Sequence, residues 1–277
     1  MSATIIPSRR RALGAAASAA TATLAAAALP GCASPPAAGT PRAPFVLVHG
    51  AWHGAWCWRE LRRLLTAQGH EVFTPTLTGM GERHHLSSAA INLDTHTADL
   101  VAVLKTEELQ GAVLVAHSYA GLPALAALPQ LSSQLSRLVL LDALLPEPGR
   151  SAADAWPPQA LAQVRASAAD GFRLAPFPPA AFGVPPGHPQ HDWLLRRLTD
   201  MPLGPLLQPF PGRGPLLLHG VRSTYLRCTL NALPDTRLAA QRAAALGLPV
   251  RDLVAAHDAM VTAPDALTQQ LLALAGT

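Results

Sequence analysis

The sequence predicts an α/β fold, a mostly parallel sheet with helices on both faces, and three observations predict it. Short apolar runs alternate with helical patterns along most of the chain, as crossover-connected parallel strands require. The run VLVAHSYAG at 113–121 stops at a serine set among small residues and turns straight into a helix-forming stretch. The roughly 235 residues beyond a short leader and tether suffice for one domain with a good core. Taken in order, FVLVH predicts a strand near 45–49, followed by a helix near 56–68 and a strand near 71–75. A helix near 95–107 leads to a strand near 112–116, and the turn at Ser118 leads to a helix near 119–128. RLVLLD predicts a strand near 137–142, and strands near 223–228 and 249–254 flank a helix near 235–246. A last helix near 264–275 opens on Pro264.

The first forty residues stand apart. Ser8 to Gly14 form a basic head with twin arginines, followed by an Ala-rich, weakly hydrophobic stretch and then LPGC at 29–32, which reads as an export signal over 1–32 of the Tat type. A membrane-spanning helix fits less well, because the uncharged run from Leu13 to Leu29 falls just under the usual ~20 residues and meets Pro30. Cys32, with Leu29 three residues before it, resembles a lipoprotein box with an atypical Pro30. The expectation is therefore an exported protein, either periplasmic or anchored to a membrane through lipidated Cys32. The Pro- and Ala-rich residues 33–43 form a tether, and the folded domain occupies 44–277.

The formal charge of +4 is mostly the leader's, since removing 1–32 takes Arg9, Arg10 and Arg11 and no acid, leaving +1. With one lysine, Lys105, and scattered arginines, the domain carries no nucleic-acid footprint. Cys57 and Cys228 sit in apolar segments and read as two isolated small hydrophobes rather than a disulfide. No Cys/His spacing suggests a metal site, and no cofactor motif is present.

The stretch 144–222 breaks the alternation with fifteen prolines, from Pro146 to Pro215, which argues against a continuing sheet or long helices. Trp156, Phe172, Phe177, Phe182, Trp193 and Phe210 supply apolar material, so a folded lid over the serine is expected, with a lining that favours an uncharged, hydrophobic ligand.

The turn at Ser118 reads as a nucleophile elbow, relaxed from Gly-x-Ser-x-Gly to Ala-His-Ser-Tyr-Ala, in which Ala116 and Ala120 are the small residues that the tight turn demands. A serine at its free pKa is a poor nucleophile and needs a base within hydrogen-bond reach. His257, after the apolar run ending at Ala256 and before the helix at Pro264, is the candidate base. The small-residue loop after His49 and Gly50 can turn a backbone N–H toward the serine. Ala51 and Tyr119 are the expected oxyanion donors, with Trp52 and His53 as pocket walls.

These segments, with TPTLTGMGERHHL at 74–86, LDTH at 93–96, LVLLDALLPEPG at 138–149 and TYLRCT at 224–229, carry a resemblance that covers nearly all of residues 43–276. The chain resembles the bacterial α/β-hydrolases related to plant methylesterases and hydroxynitrile lyases. The resemblance implies the α/β-hydrolase fold, the chain order nucleophile, acid, histidine, and a serine carboxylesterase. In the methylesterase relatives the acid lies three residues after the Cys of the strand at 223–228, which here is Asn231. Asp142, at the C-terminal end of RLVLLD, is the leading substitute, because strand ends on one edge of the sheet face one crevice; Asp235 and Asn231 itself stay open.

Two rival functions follow from the same resemblance. Cyanohydrin cleavage in the lyases uses a threonine and a lysine where this chain has Gly50 and Asp258, which disfavours it. A non-catalytic ligand binder that keeps the pocket is favoured by Asn231 alone. A small-molecule ester is the expected partner, and oligomeric state is open.

Overall fold

The computed structural model describes residues 42–231 and 233–276. The expected export signal, the tether up to Pro41 and Cys32 lie outside the described residues. The chain runs through β1 (Phe45–Val48), α1 (Arg59–Ala67), β2 (Val72–Phe73), α2 (Leu93–Thr106), β3 (Ala112–His117), α3 (Gly121–Leu131) and β4 (Leu135–Leu141). It continues through α4 (Pro158–Ser167), β5 (Arg173–Leu174), α5 (His191–Leu195), β6 (Met201–Pro202) and α6 (Gly204–Leu207). β7 (Ser223–Cys228), α7 (Pro234–Ala245), β8 (Val250–Leu253), α8 (Ala259–Thr262) and α9 (Pro264–Ala275) complete it.

Six strands form one sheet in the order β2-β1-β3-β4-β7-β8, each neighbouring pair parallel. Along β1, Val46 and Val48 face one core while Phe45 and Leu47 face the other, and β3 divides the same way. Both faces are covered by helices, so side-chain alternation distributes apolar residues to two cores instead of to core and solvent. The exposed edge strand β8 is apolar only at its ends. Its Asp252 receives both a 2.8 Å bond from Nε and a 2.7 Å bond from Nη2 of Arg227, which puts charge where an unpaired strand edge would otherwise invite another chain.

All six expected sheet strands and all five expected helices are present, with ends shifted by a few residues. α2 starts on a capping box, in which the Asn92 side chain accepts from the Thr95 N–H and the Thr95 hydroxyl takes the Asn92 N–H. The lid departs from expectation. It holds the ten-residue α4, two short helices and the two-stranded antiparallel pair β5 and β6. Pro157 and Pro158 take the N-cap and first position of α4, where the missing N–H has no intrahelical partner to lose, so proline starts this helix instead of forbidding it. Cys57 and Cys228 are both free and buried in the same core cluster.

Hydrogen bonds to backbone carbonyls fasten the lid to the loops that follow β1 and β8. The Trp52 indole donates to the Leu174 carbonyl at 3.0 Å, the Thr199 N–H to the Trp52 carbonyl at 3.0 Å and the Asp258 N–H to the Phe182 carbonyl at 3.1 Å. At the elbow, a Cβ on Gly121 would lie 2.2 Å from the Leu144 carbonyl oxygen, and the Leu144 N–H donates to the Ser118 carbonyl at 2.8 Å. The loop leaving β4 thus rests directly on the turn that carries the serine. Replacing Gly121 with alanine is expected to cost about 3 kcal/mol, since backbone cannot yield as a side chain can, and to lower the thermal midpoint in a differential scanning experiment.

Candidate active site

Ser118 follows the last residue of β3 with φ 55°, a left-handed backbone that swings its side chain clear of the strand. Asp142 follows the last residue of β4 with φ 43°. His117 pairs with Leu141 across these strands, so the serine and the aspartate stand one residue past the same rung of the sheet. The loop between β8 and α8 delivers His257 above them. Its Nδ1–H donates to Asp142 Oδ2 at 2.7 Å, and its Nε2 accepts from the Ser118 hydroxyl at 2.9 Å. The imidazole and the carboxylate are buried and Ser118 is half-buried.

Of the three acid candidates, Asp142 alone reaches the imidazole. Asn231 stands behind it: its amide donates to Asp142 Oδ2 and to the Thr236 hydroxyl, and its Oδ1 accepts from the Leu233 N–H at 2.8 Å. The Cys228 N–H adds a bond to Asp142 Oδ1 at 3.3 Å. Asn231 therefore orients the carboxylate and not the histidine. Asp235 is exposed on the first turn of α7, away from the imidazole.

Buried histidines frame the site, and their partners determine which nitrogen carries hydrogen. His49 Nε2 accepts from the Leu77 N–H at 3.1 Å, so its Nδ1–H donates to the Gly50 carbonyl at 2.8 Å. That carbonyl shares a peptide with the Ala51 N–H, the expected oxyanion donor. His96 Nδ1 accepts from the Tyr119 hydroxyl at 2.7 Å while its Nε2–H donates to the Thr78 carbonyl at 2.8 Å, which pins the side chain of the residue after the serine. Tyr119 is thus buried core and not an open pocket wall. His117 Nε2–H donates to the His257 carbonyl at 3.0 Å and so supports the base loop, not the elbow as its place beside Ser118 suggests.

Trp52 packs against the lid, its ring centroid 4.7 Å from Phe177 and 6.0 Å from Phe182. Phe182 in turn lies against His257 with centroids 6.2 Å apart and the ring planes inclined by 28°. His53, expected as a pocket wall, has both ring nitrogens committed inside the protein: Nδ1–H donates to the Ala51 carbonyl at 2.7 Å and Nε2–H to Asp258 Oδ2 at 2.9 Å. Sequence patterns do not pair His53 with Asp258. A carboxylate directly after the base and a histidine in the glycine-rich 50–54 loop were the available signals.

Among the described residues, His117, His257 and Asp258 form a cluster tight enough for an ion, but both nitrogens of His257 are already spent on Asp142 and Ser118. Gly50 sits against Ser118, where an added Cβ would lie 2.8 Å from Ser118 Cβ and 3.3 Å from its Oγ. The arrangement has what acyl transfer needs: a hydroxyl, a base of fixed tautomer, a buried carboxylate behind it and a loop with no side chain in the way.

Burial pulls His49 down to about 3 and moves His96 and His117 below the ordinary histidine value of 6.5. Burial also opposes charge on His53, but the Asp258 carboxylate outweighs it and raises the imidazole above that value.

The alpha/beta hydrolase family matches residues 45–270. A carbendazim hydrolyzing esterase from Nocardioides sp. (strain SG-4G) is 34% identical over 84% of this chain and 99% of its own length. Methylesterase 9 of Arabidopsis thaliana is 35% identical over 37% of this chain and 41% of its own. Among solved structures, an extracellular alpha/beta-hydrolase from a Paenibacillus species superposes with a TM-score of 0.71 at 22% identity, covering 83% of this chain and 98% of its own.

Below pH 6.5 the unfolded chain takes up protons that native His49, His96 and His117 resist, so the stability they contribute is lost as pH drops. His53 acts in the opposite sense, its contribution present below pH 6.5 and lost as pH rises through its raised native value. The thermal midpoint should fall between pH 6.5 and 5.5, and calorimetry showing a flat profile there would contradict neutral buried imidazoles.

Proposed function

Since the chain belongs to the alpha/beta hydrolase family, we propose that this carboxylic ester hydrolase works through an acyl-enzyme on Ser118. The observation that carries the reading is the unbroken line of bonds from Asp142 through His257 to Ser118. As the Ser118 oxygen attacks the ester carbonyl, its proton passes to His257 Nε2, and the negative charge of the tetrahedral intermediate falls to the N–H groups of Ala51 and Tyr119. The same Nε2–H then protonates the departing alkoxide, and a water repeats the sequence in reverse to release the acid. Asp142 keeps Nδ1 protonated and offsets the imidazolium, while Asn231 keeps Asp142 aimed.

The substrates are small, uncharged hydrophobic esters. Trp52 and Phe177, packed on each other, and Phe182, which joins Trp52 to His257, support this, since they bring aromatic rings and no charge to that side of the site. Cyanohydrin cleavage fits poorly. A threonine at Gly50 would press its Cβ to within 2.8 Å of Ser118 Cβ, and Asp258 puts a carboxylate where the lyases carry a cation. The non-catalytic reading rested on Asn231, which here backs a carboxylate instead of replacing one. The twin-arginine leader and the Cys32 motif support export, with lipid anchoring at Cys32.

Ser118→Ala is expected to abolish hydrolysis of a short p-nitrophenyl ester; equal slow rates in wild type and variant would leave only a binder. Asp142→Asn should lower kcat by ~10³–10⁴-fold, because the amide favours the wrong tautomer of His257. Asn231→Ala, which removes one bond to a charged group, should cost roughly tenfold in kcat. Mass spectrometry of the exported protein should find a diacylated N-terminal Cys32, and a free Ala33 or Ser34 terminus would remove the anchor.

A further inference from the structure

Acyl transfer as described leaves idle the most deeply buried ion pair of the site. His53 is 1% exposed and Asp258, the residue directly after His257, is 0% exposed. His53 donates from one ring nitrogen to Asp258 Oδ2 and from the other to the Ala51 carbonyl, at 2.9 and 2.7 Å. A carboxylate and a carbonyl both accept, and only the doubly protonated imidazolium satisfies two acceptors at once. The second carboxylate oxygen, Asp258 Oδ1, is buried with no partner among the described residues, so the charge on Asp258 depends on His53 for its compensation. Trp56 stacks on the His53 ring with centroids 5.2 Å apart, and Phe182 meets it edge-on at 5.2 Å, which holds the ring plane in place.

The two ends of this bridge matter more than the bridge itself. Ala51 heads the loop that approaches the serine, and Asp258 is covalently next to the base, 205 positions away from His53. We infer that His53 and Asp258 are positioning residues that lock the oxyanion loop to the base loop, so that the Ala51 N–H and the His257 imidazole meet one substrate carbonyl together. The inference rests on the acyl-enzyme reading above. Other bonds leave the oxyanion loop tied to the lid and to Leu77, through Trp52 and His49. Among the described residues, the His53 bridge is the hydrogen bond that joins this loop to the base loop.

The test compares Asp258→Ala with Asp258→Asn, at pH 8 and at a temperature where circular dichroism shows each folded. Alanine cuts the bridge. His53 sheds its proton and keeps its bond to Ala51, so no charge is stranded. Asparagine keeps the bridge in neutral form, because its amide donates to the deprotonated Nε2. With p-nitrophenyl acetate, Asp258→Ala should lose roughly 30- to 100-fold in kcat while KM stays within about twofold, since a misplaced donor weakens the transition state and not the ground state. Affinity for phenylboronic acid should fall by the same factor. Its boron binds the Ser118 oxygen while the serine proton passes to His257, and the resulting tetrahedral anion reports on the oxyanion site. Asp258→Asn should return to within about fivefold of wild type.

Wild-type kcat and boronate affinity in a folded Asp258→Ala, with only the melting temperature lowered, would overturn the inference. If alanine does not fold, Asp258→Leu fills the same space with a side chain that neither donates nor accepts, which cuts the bridge and leaves neutral His53 its bond to Ala51. The same loss is expected there, and wild-type rates would again overturn the inference. Ser118→Ala run in parallel separates the two readings. Hydrolysis independent of Ser118 removes both, whereas Ser118-dependent hydrolysis insensitive to position 258 removes this one alone.

Discussion

Parallel pairing of β3 with β4, with His117 opposite Leu141, sets Ser118 and Asp142 side by side, and the rest of the site is built on that rung. Each residue turns out of its strand through a left-handed backbone that costs about 1–2 kcal/mol in a residue other than glycine. Backbone bonds hold both turns in place. The Asp142 N–H donates to the Leu226 carbonyl at 2.7 Å on the next strand, and the Leu144 N–H returns to the Ser118 carbonyl at 2.8 Å. Ser118 and Asp142 are therefore positioned by a sheet with apolar cores on both faces. His257, coming from a loop, has only to reach across the gap between them.

Histidine does most of the remaining work because its two nitrogens can take opposite roles in one plane. His49 and His96 each accept with one nitrogen and donate with the other, so each links two backbone or hydroxyl groups without carrying charge. Burial that disfavours their protonation keeps them in that form. His53 differs because both of its partners accept, and a buried carboxylate sustains the extra proton. The same residue type thus serves as a neutral brace in two places and as a cation in a third, with the partner deciding which.

The lid shows how an irregular segment acquires definite structure. Its prolines begin helices or punctuate loops, and it presses on the loop that carries His257 at Gly183, where φ is 87° and a Cβ would lie 2.0 Å from Ala256 Cβ. Phe182 is thereby carried over His257. An aromatic ceiling held this way excludes water from the imidazole and presents an apolar face to whatever occupies the crevice.

The strands of the main sheet, the helices between them and the two side chains Ser118 and His257 that meet at its edge were legible in the sequence because each rests on local pattern. A strand buried on both faces is a short apolar run, and an elbow is a serine among small residues where a run ends. α4 was hidden because prolines at 157 and 158 look like breakers until they are seen to occupy the first turn of a helix. The acid was open among Asp142, Asn231 and Asp235, since one-dimensional spacing does not say which of two neighbouring strand ends faces the imidazole. Sequence alone determined the class of fold and the serine and histidine that point to its chemistry, through periodicity and turn stereochemistry. Tertiary structure alone decided that Asp142 meets His257, that Asn231 braces it and that His53 is charged, because each depends on which acceptor a distant part of the chain brings within about 3 Å.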